Sequence, residues 1–209
     1  MLLDVLYKNT NLNFLSLYNN KIVIEEMKVL AKILCNNFTL TFLNLNWNNI
    51  GKIIGRCTFN LGPVGGKALV NVLSKKSTLI TLNLHWNSLG QEVIITLIDA
   101  LCKNAILTSL ILSNNNLGLE GEKALVSALS KNSTLTTLDL HWNNFGPEVG
   151  ITLANALARS LYENTTLTFL NLRENNIGAK CGKALLIALI LLSDKLQTNT
   201  STIKQRLEK

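Results

Sequence analysis

The chain is short of the residues that most often carry chemistry. Its 209 residues include two histidines, two prolines, two methionines and four cysteines, and only 16% are charged. The cysteines, Cys35, Cys57, Cys102 and Cys181, contain no C-x-x-C pair, so a zinc ribbon or a thioredoxin-type redox motif is not indicated. The longest apolar run, Ala184 to Leu192, is nine residues, and a membrane-spanning helix needs roughly 18 or more. An acid, Asp4, stands where a secretory signal would carry bases. The expectation is a cytoplasmic protein with reduced thiols and no membrane partner. Disorder is excluded as well, because apolar residues make up 47% of the chain.

Positive charge is present but scattered. Twenty Lys and Arg against thirteen Asp and Glu give a net charge of +7, which raises nucleic acid as a partner. Lys28, Lys67, Lys123 and Lys183 recur at one equivalent position rather than clustering. Such a row on an outer helix face serves solubility, so no nucleic-acid partner is expected.

What the chain has in excess is leucine and asparagine, 71 of its 209 residues. The bias comes from a repeat. The pattern L-x-x-L-x-L-x-x-N begins at Leu12, Leu40, Leu79, Leu107, Leu135 and Leu167, at intervals of 28, 39, 28, 28 and 32 residues. Its central L-x-L alternates with period two, which predicts a short strand with one buried face. Each copy closes on an asparagine, Asn20, Asn48, Asn87, Asn115, Asn143 or Asn175. An amide there can bond the backbone of its own turn and of the next repeat, which predicts a ladder. The second half of each repeat carries leucines four apart, as at Leu97 and Leu101 or Leu125 and Leu129, which predicts a helix with one apolar face. Gly90, Gly118, Gly146 and Gly178 mark the loops between strand and helix.

This pattern resembles the leucine-rich repeat family, and in its long repeat the ribonuclease-inhibitor-like subfamily found also in NOD-like receptor arrays. The resemblance implies an α/β fold: a right-handed solenoid, or horseshoe, with a parallel sheet on the concave face and helices on the convex face. Strands alternating with helical segments point the same way. The array is expected to span residues 1–192, about six repeats, followed by a polar tail over 193–209. Leu2 to Tyr7 aligns with the helical half of a repeat, so the chain opens inside one and is expected to expose apolar side chains there. An 11-residue insertion falls near residues 50–61, and Ala158 to Leu161 adds one helical turn. Asn37, Asn132, Asn164 and Asn199 begin nominal glycosylation sequons, the first three being repeat consensus.

The sequence offers little that is catalytic. Gly66-Lys67 and Gly182-Lys183 resemble phosphate-loop ends, but Ala follows each lysine and the leading glycine is misplaced. His85 and His141 are equivalent positions two repeats apart. At ~4.8 Å per strand they stand roughly 10 Å from one another, too far to share a metal. Ser113 lies between them in the same row and Asp139 is near, the residue types of a hydrolase. An open sheet without an oxyanion hole speaks against that. No cofactor, metal, small-molecule substrate or catalytic residue is expected.

The residues between the buried leucines face the groove. They include Phe42, Asn44, Asn83, His85, Ile111, Asp139, His141, Phe169 and Arg173, and beside them all three tryptophans, Trp47, Trp86 and Trp142, share one register. Tryptophan, tyrosine and arginine are the usual interface anchors. These twelve residues are the candidate partner-binding face of a non-enzymatic protein-interaction module, as the resemblance also implies. A regulatory scaffold of GTPase-activator or immune-receptor type is the alternative. A nucleic-acid binder and a hydrolase rank lower.

Overall fold

The computed structural model describes residues 8–22, 24–48, 50, 68, 70–74, 78–146, 166–179, 182 and 183. The expectations for Leu2 to Tyr7, residues 51–61 of the insertion, the turn at 158–161 and the tail at 193–209 lie outside the described residues.

The first leucine of each L-x-L is the middle residue of a three-residue strand: β1 (Phe14–Ser16), β2 (Phe42–Asn44), β3 (Thr81–Asn83), β4 (Ser109–Ile111), β5 (Thr137–Asp139) and β6 (Phe169–Asn171). The six pair in sequence order, all parallel. The central leucines stand in one file, Leu15, Leu43, Leu82, Leu110, Leu138 and Leu170. Four of the six strands end in a side chain that closes a turn. The side-chain oxygens of Asn44, Asn83, Asp139 and Asn171 each accept the N–H two residues on, at 3.0–3.2 Å, and this closed turn ends the extension.

Beyond the strand the backbone curls through two left-handed residues. Asn19, Trp47, Trp86, Asn114, Trp142 and Glu174 have φ between 53° and 57°. Two residues later Lys21, Ser88, Asn116, Asn144 and Asn176 have φ between 49° and 59°. Between them sits the pattern's asparagine, and the ladder expected from sequence is present. The Asn115 Nδ2 donates to the carbonyls of Leu112 and, one repeat back, Leu84, while its Oδ1 accepts the N–H groups of Asn87 and Leu89. Asn48 repeats the scheme in full, and Asn143 repeats it except that its Oδ1 accepts one N–H, that of Asn115. Asn87 keeps only half of it: its Nδ2 donates to Leu45 and Leu84, but its buried Oδ1 has no partner. This gap faces the repeat that carries the insertion.

The described helices are α1 (Ile24–Leu34), α2 (Gly90–Leu101) and α3 (Gly118–Lys131). Helix α2 buries Val93, Ile94, Leu97, Ile98 and Leu101, the three-and-four spacing of one inward face. Gly90 and Gly118, with φ of 73° and 58°, turn the chain into these helices. Gly121 lets α3 close on its neighbours, since a Cβ there would stand 3.2 Å from Leu117 and 3.4 Å from Ile94. The leucines of the inner strands are fully buried, whereas Leu12, Leu15 and Leu17 at one end, and Leu167, Leu170 and Leu172 at the other, are only partly covered. Burial here depends on neighbouring repeats. No described helix is long and apolar enough to cross a membrane.

A second file of asparagines runs along the helix-to-strand turns, a feature not anticipated from sequence. The Oδ1 of Asn37 accepts the N–H groups of Thr39 and Leu40, and that of Asn132 those of Thr134 and Leu135. Asn9 and Asn104 do the same for their turns. The Nδ2 of Asn104 and of Asn132 donates to the preceding repeat, to Leu73 and Leu101. The signal was an asparagine three residues before the first leucine, visible in five of the six repeats.

Candidate functional site

The concave face is built by the residues that the strand alternation leaves outward. Phe14 and Phe42 stack at 4.3 Å between ring centroids, nearly parallel. Phe169 stands exposed at the far end of the same row. The four side chains that close the strands, Asn44, Asn83, Asp139 and Asn171, have part of their hydrogen-bonding capacity committed to the backbone. Ile111 is the apolar exception in their row.

The tryptophans form a ridge. Trp47 packs against Trp86 at 4.8 Å and against Tyr18 at 6.3 Å. Trp142 stands apart, its ring 5.8 Å from that of His141. Their relative exposures are 43%, 41% and 48%, so they do not serve as a lid sealed over the asparagine ladder. Each occupies a left-handed backbone position that sister repeats give to Asn19 or Asn114. Asparagine adopts that conformation readily, whereas for a bulky side chain it is an outlier.

Two sequence-based readings need correction here. Ser113 does not face the groove; it is fully buried. Because it is small and set inward, His85 and His141 lean together over it. Their ring centroids stand 5.4 Å apart, not the roughly 10 Å that two strand spacings give. The Nδ1 of His85 lies 2.7 Å from Ser113 Oγ and 3.1 Å from Ser113 O. The Nδ1 of His141 lies 2.6 Å from Asp139 Oδ1. The acid therefore serves one imidazole and the serine the other, so no Ser-His-Asp relay is formed. Burial pushes the His85 imidazole below its usual range, and the neighbouring His141 acts in the same direction. The Ser113 carbonyl and Asp139 oppose the shift.

Charge on this surface is sparse. Asp139, Arg173 and Glu174 are the charged groups in these registers, two acids against one base. A shallow cleft of about 260 Å³ lies between His141, Trp142, Asn171, Arg173 and Glu174. A larger one of about 650 Å³ opens beside β6 against Leu167, Phe169, Leu170, Leu172 and Ile177. On the convex side Lys123 pairs with Glu120 at 2.7 Å, as expected of a solvated face. Cys35 and Cys102 are thiols rather than disulfide partners, and burial pushes the Cys102 thiol above its usual range. Among the described residues no group of three or more His, Cys, Asp or Glu could hold a metal ion.

Four segments, residues 36–57, 103–126, 131–154 and 163–186, match the leucine-rich repeat family model. No curated protein matches the chain. Among solved structures, leiomodin-1 actin-binding site 2 is similar over 99% of this chain and 95% of its own, with a TM-score of 0.54 and 19% identity. The tropomodulin C-terminal domain of Caenorhabditis elegans is similar over 99% and 96%, with a TM-score of 0.52 and 14% identity. At those identities the likeness is one of fold. The match agrees with the six-strand parallel ladder and the outer helices: the matched segments are similar to leucine-rich repeats, and the chain has the α/β solenoid fold of such repeats.

Proposed function

We propose that the chain is a non-enzymatic interaction module that binds a protein partner on its concave face, with Trp47, Trp86 and Trp142 as anchors. One observation carries the reading. Three half-exposed tryptophans sit at strained left-handed positions where asparagine would serve the fold at lower cost. Strain of this kind is retained where something other than stability requires the side chain. Phe42, His85, His141, Ile111 and Arg173 complete a mostly uncharged aromatic surface. A partner with neutral polar and aromatic groups fits it better than a strongly basic one.

The leiomodin-1 structure is named for actin binding, which makes actin the first defined partner to test. The 28-residue spacing, with helices of 11 to 14 residues, supports a place in the ribonuclease-inhibitor-like subfamily. We take the cytoplasm as the compartment.

The test compares affinity capture by the native chain, by Trp86→Ala/Trp142→Ala, and by a variant with Lys28, Lys123 and Lys183 changed to Ala. Purified actin is added as one arm. Loss of captured protein with the tryptophan variant alone supports the reading, at roughly 2 kcal/mol or more if the rings are anchors. Loss with the lysine variant alone would place the interface on the convex face.

A further inference from the structure

The close approach of His85 and His141 supports a reading independent of any protein partner. Ser113 O and Asp139 Oδ1 can only accept hydrogen bonds, and each lies against an imidazole Nδ1. With the proton on Nδ1, facing these acceptors, each ring leaves its Nε2 lone pair bare; Ser113 Oγ, 2.7 Å from His85 Nδ1, and Asn171 Nδ2, 3.5 Å from His141 Nδ1, complete the surroundings of the two nitrogens. No hydrogen bond reaches either Nε2 among the described residues. An imidazole whose remote nitrogen donates to a carbonyl or a carboxylate is held as metal-ligating histidines are held.

The spacing agrees with that role. Two imidazoles bound to one ion at ~2.1 Å in tetrahedral geometry have ring centroids about 5 Å apart. The observed separation is 5.4 Å, with 29° between the ring planes.

The geometry points to a surface site in which His85 and His141, through Nε2, bind one divalent transition-metal ion of the kind imidazole favours, Zn²⁺, Ni²⁺ or Cu²⁺. The remaining coordination positions stay open to water or to an incoming ligand. Ser113 is part of the device although it ligates nothing, because its small buried side chain lets the rings meet. Asp139 is a positioning residue that fixes the orientation of His141. A two-imidazole site is weaker than a closed structural one and can exchange its ion.

The chain contains its own reporter. The rings of Trp86 and Trp142 lie 5.9 and 5.8 Å from those of His85 and His141, within reach of quenching by a bound paramagnetic ion. The purified full-length chain is titrated with Cu²⁺ while tryptophan fluorescence is followed, and Zn²⁺ is then added as a non-quenching competitor. The expected result is saturable quenching at one ion per chain, reversed by Zn²⁺. His85→Ala and His141→Ala should each abolish saturation, and Asp139→Asn should weaken binding about tenfold. Circular dichroism of each variant confirms that the fold is kept. As a second route, with its fold checked in the same way, Ser113→Val fills the space beneath the rings and should also lower affinity while leaving both histidines in place. Linear quenching that never saturates, or a single-site isotherm unchanged in His85→Ala/His141→Ala, would overturn the assignment. Neither outcome bears on partner capture by the tryptophan ridge.

Discussion

Replacing ladder asparagines one at a time should separate two sites that look equivalent in sequence, Asn115 and Asn87. Both are fully buried and both lose the same side-chain volume on change to alanine. Their carbonyl partners are shared, so the donor half of each amide is expendable. Leu84 O keeps a bond from Asn87 when Asn115 is removed, Leu112 O keeps one from Asn143, and Leu45 O keeps one from Asn48 when Asn87 is removed. The difference lies in the acceptor half. The Oδ1 of Asn115 holds the N–H groups of Asn87 and Leu89 at 3.1 and 3.3 Å, whereas the Oδ1 of Asn87 holds nothing. Asn115→Ala leaves two buried donors without partners, each costing about 1–3 kcal/mol. Asn87→Ala leaves none and also removes an orphaned acceptor. Asn115→Ala should therefore be the more destabilising by about 2 kcal/mol or more. Urea unfolding followed by circular dichroism, with equal slopes for the two variants, measures the difference. Equal destabilisation, or a greater loss for Asn87→Ala, would refute the accounting.

Burial, backbone strain and thiol environment each fix one further outcome. Leu110→Ala, at a fully buried position of β4, should cost about 2–5 kcal/mol, and Leu15→Ala in the half-covered β1 well under half as much; thermal denaturation of the two variants checks this. Trp142→Asn should leave the midpoint of unfolding unchanged or slightly raised, because relaxing a strained backbone offsets the lost packing of a half-exposed ring, its contact with His141 included; a drop of several degrees would contradict it. The Cys102 thiol, whose protonated form burial favours, should react with iodoacetamide at pH 8 more slowly in the folded chain than in urea; mass spectrometry of the modified site decides.

Much of this fold could be read from spacing alone. The L-x-L alternation placed a strand in all six repeats and aligned their first leucines, because a side-chain period of two admits a single register once one face is buried, but each strand begins one residue before the motif and ends before its second leucine. The asparagine ladder was legible for a similar reason: an amide recurring at the end of a strand has few other uses. Three things were not legible. The left-handed backbone beneath the tryptophans is a conformation that the residue type argues against, so no pattern of tryptophan could announce it. The approach of His85 and His141 depends on the inward setting of Ser113, and row arithmetic treats all residues of a row as equally exposed. The second file of asparagines coincided with glycosylation sequons at Asn37 and Asn132, and the sequon reading obscured it. With their amides holding turns and their side chains buried, those two residues are closed to modification once folded.

The left-handed tryptophans also set what mutation and selection would do to this protein. A population of variants sorted for resistance to heat alone would drift toward asparagine or glycine at positions 47, 86 and 142, because both relax the backbone there. A population sorted for retention of its ligand would hold tryptophan at the same three positions and accumulate compensating changes elsewhere, in helix faces or loops. Sequencing the two pools would map the working surface without any knowledge of what binds it, since the residues that depart first under one regime are those that persist under the other.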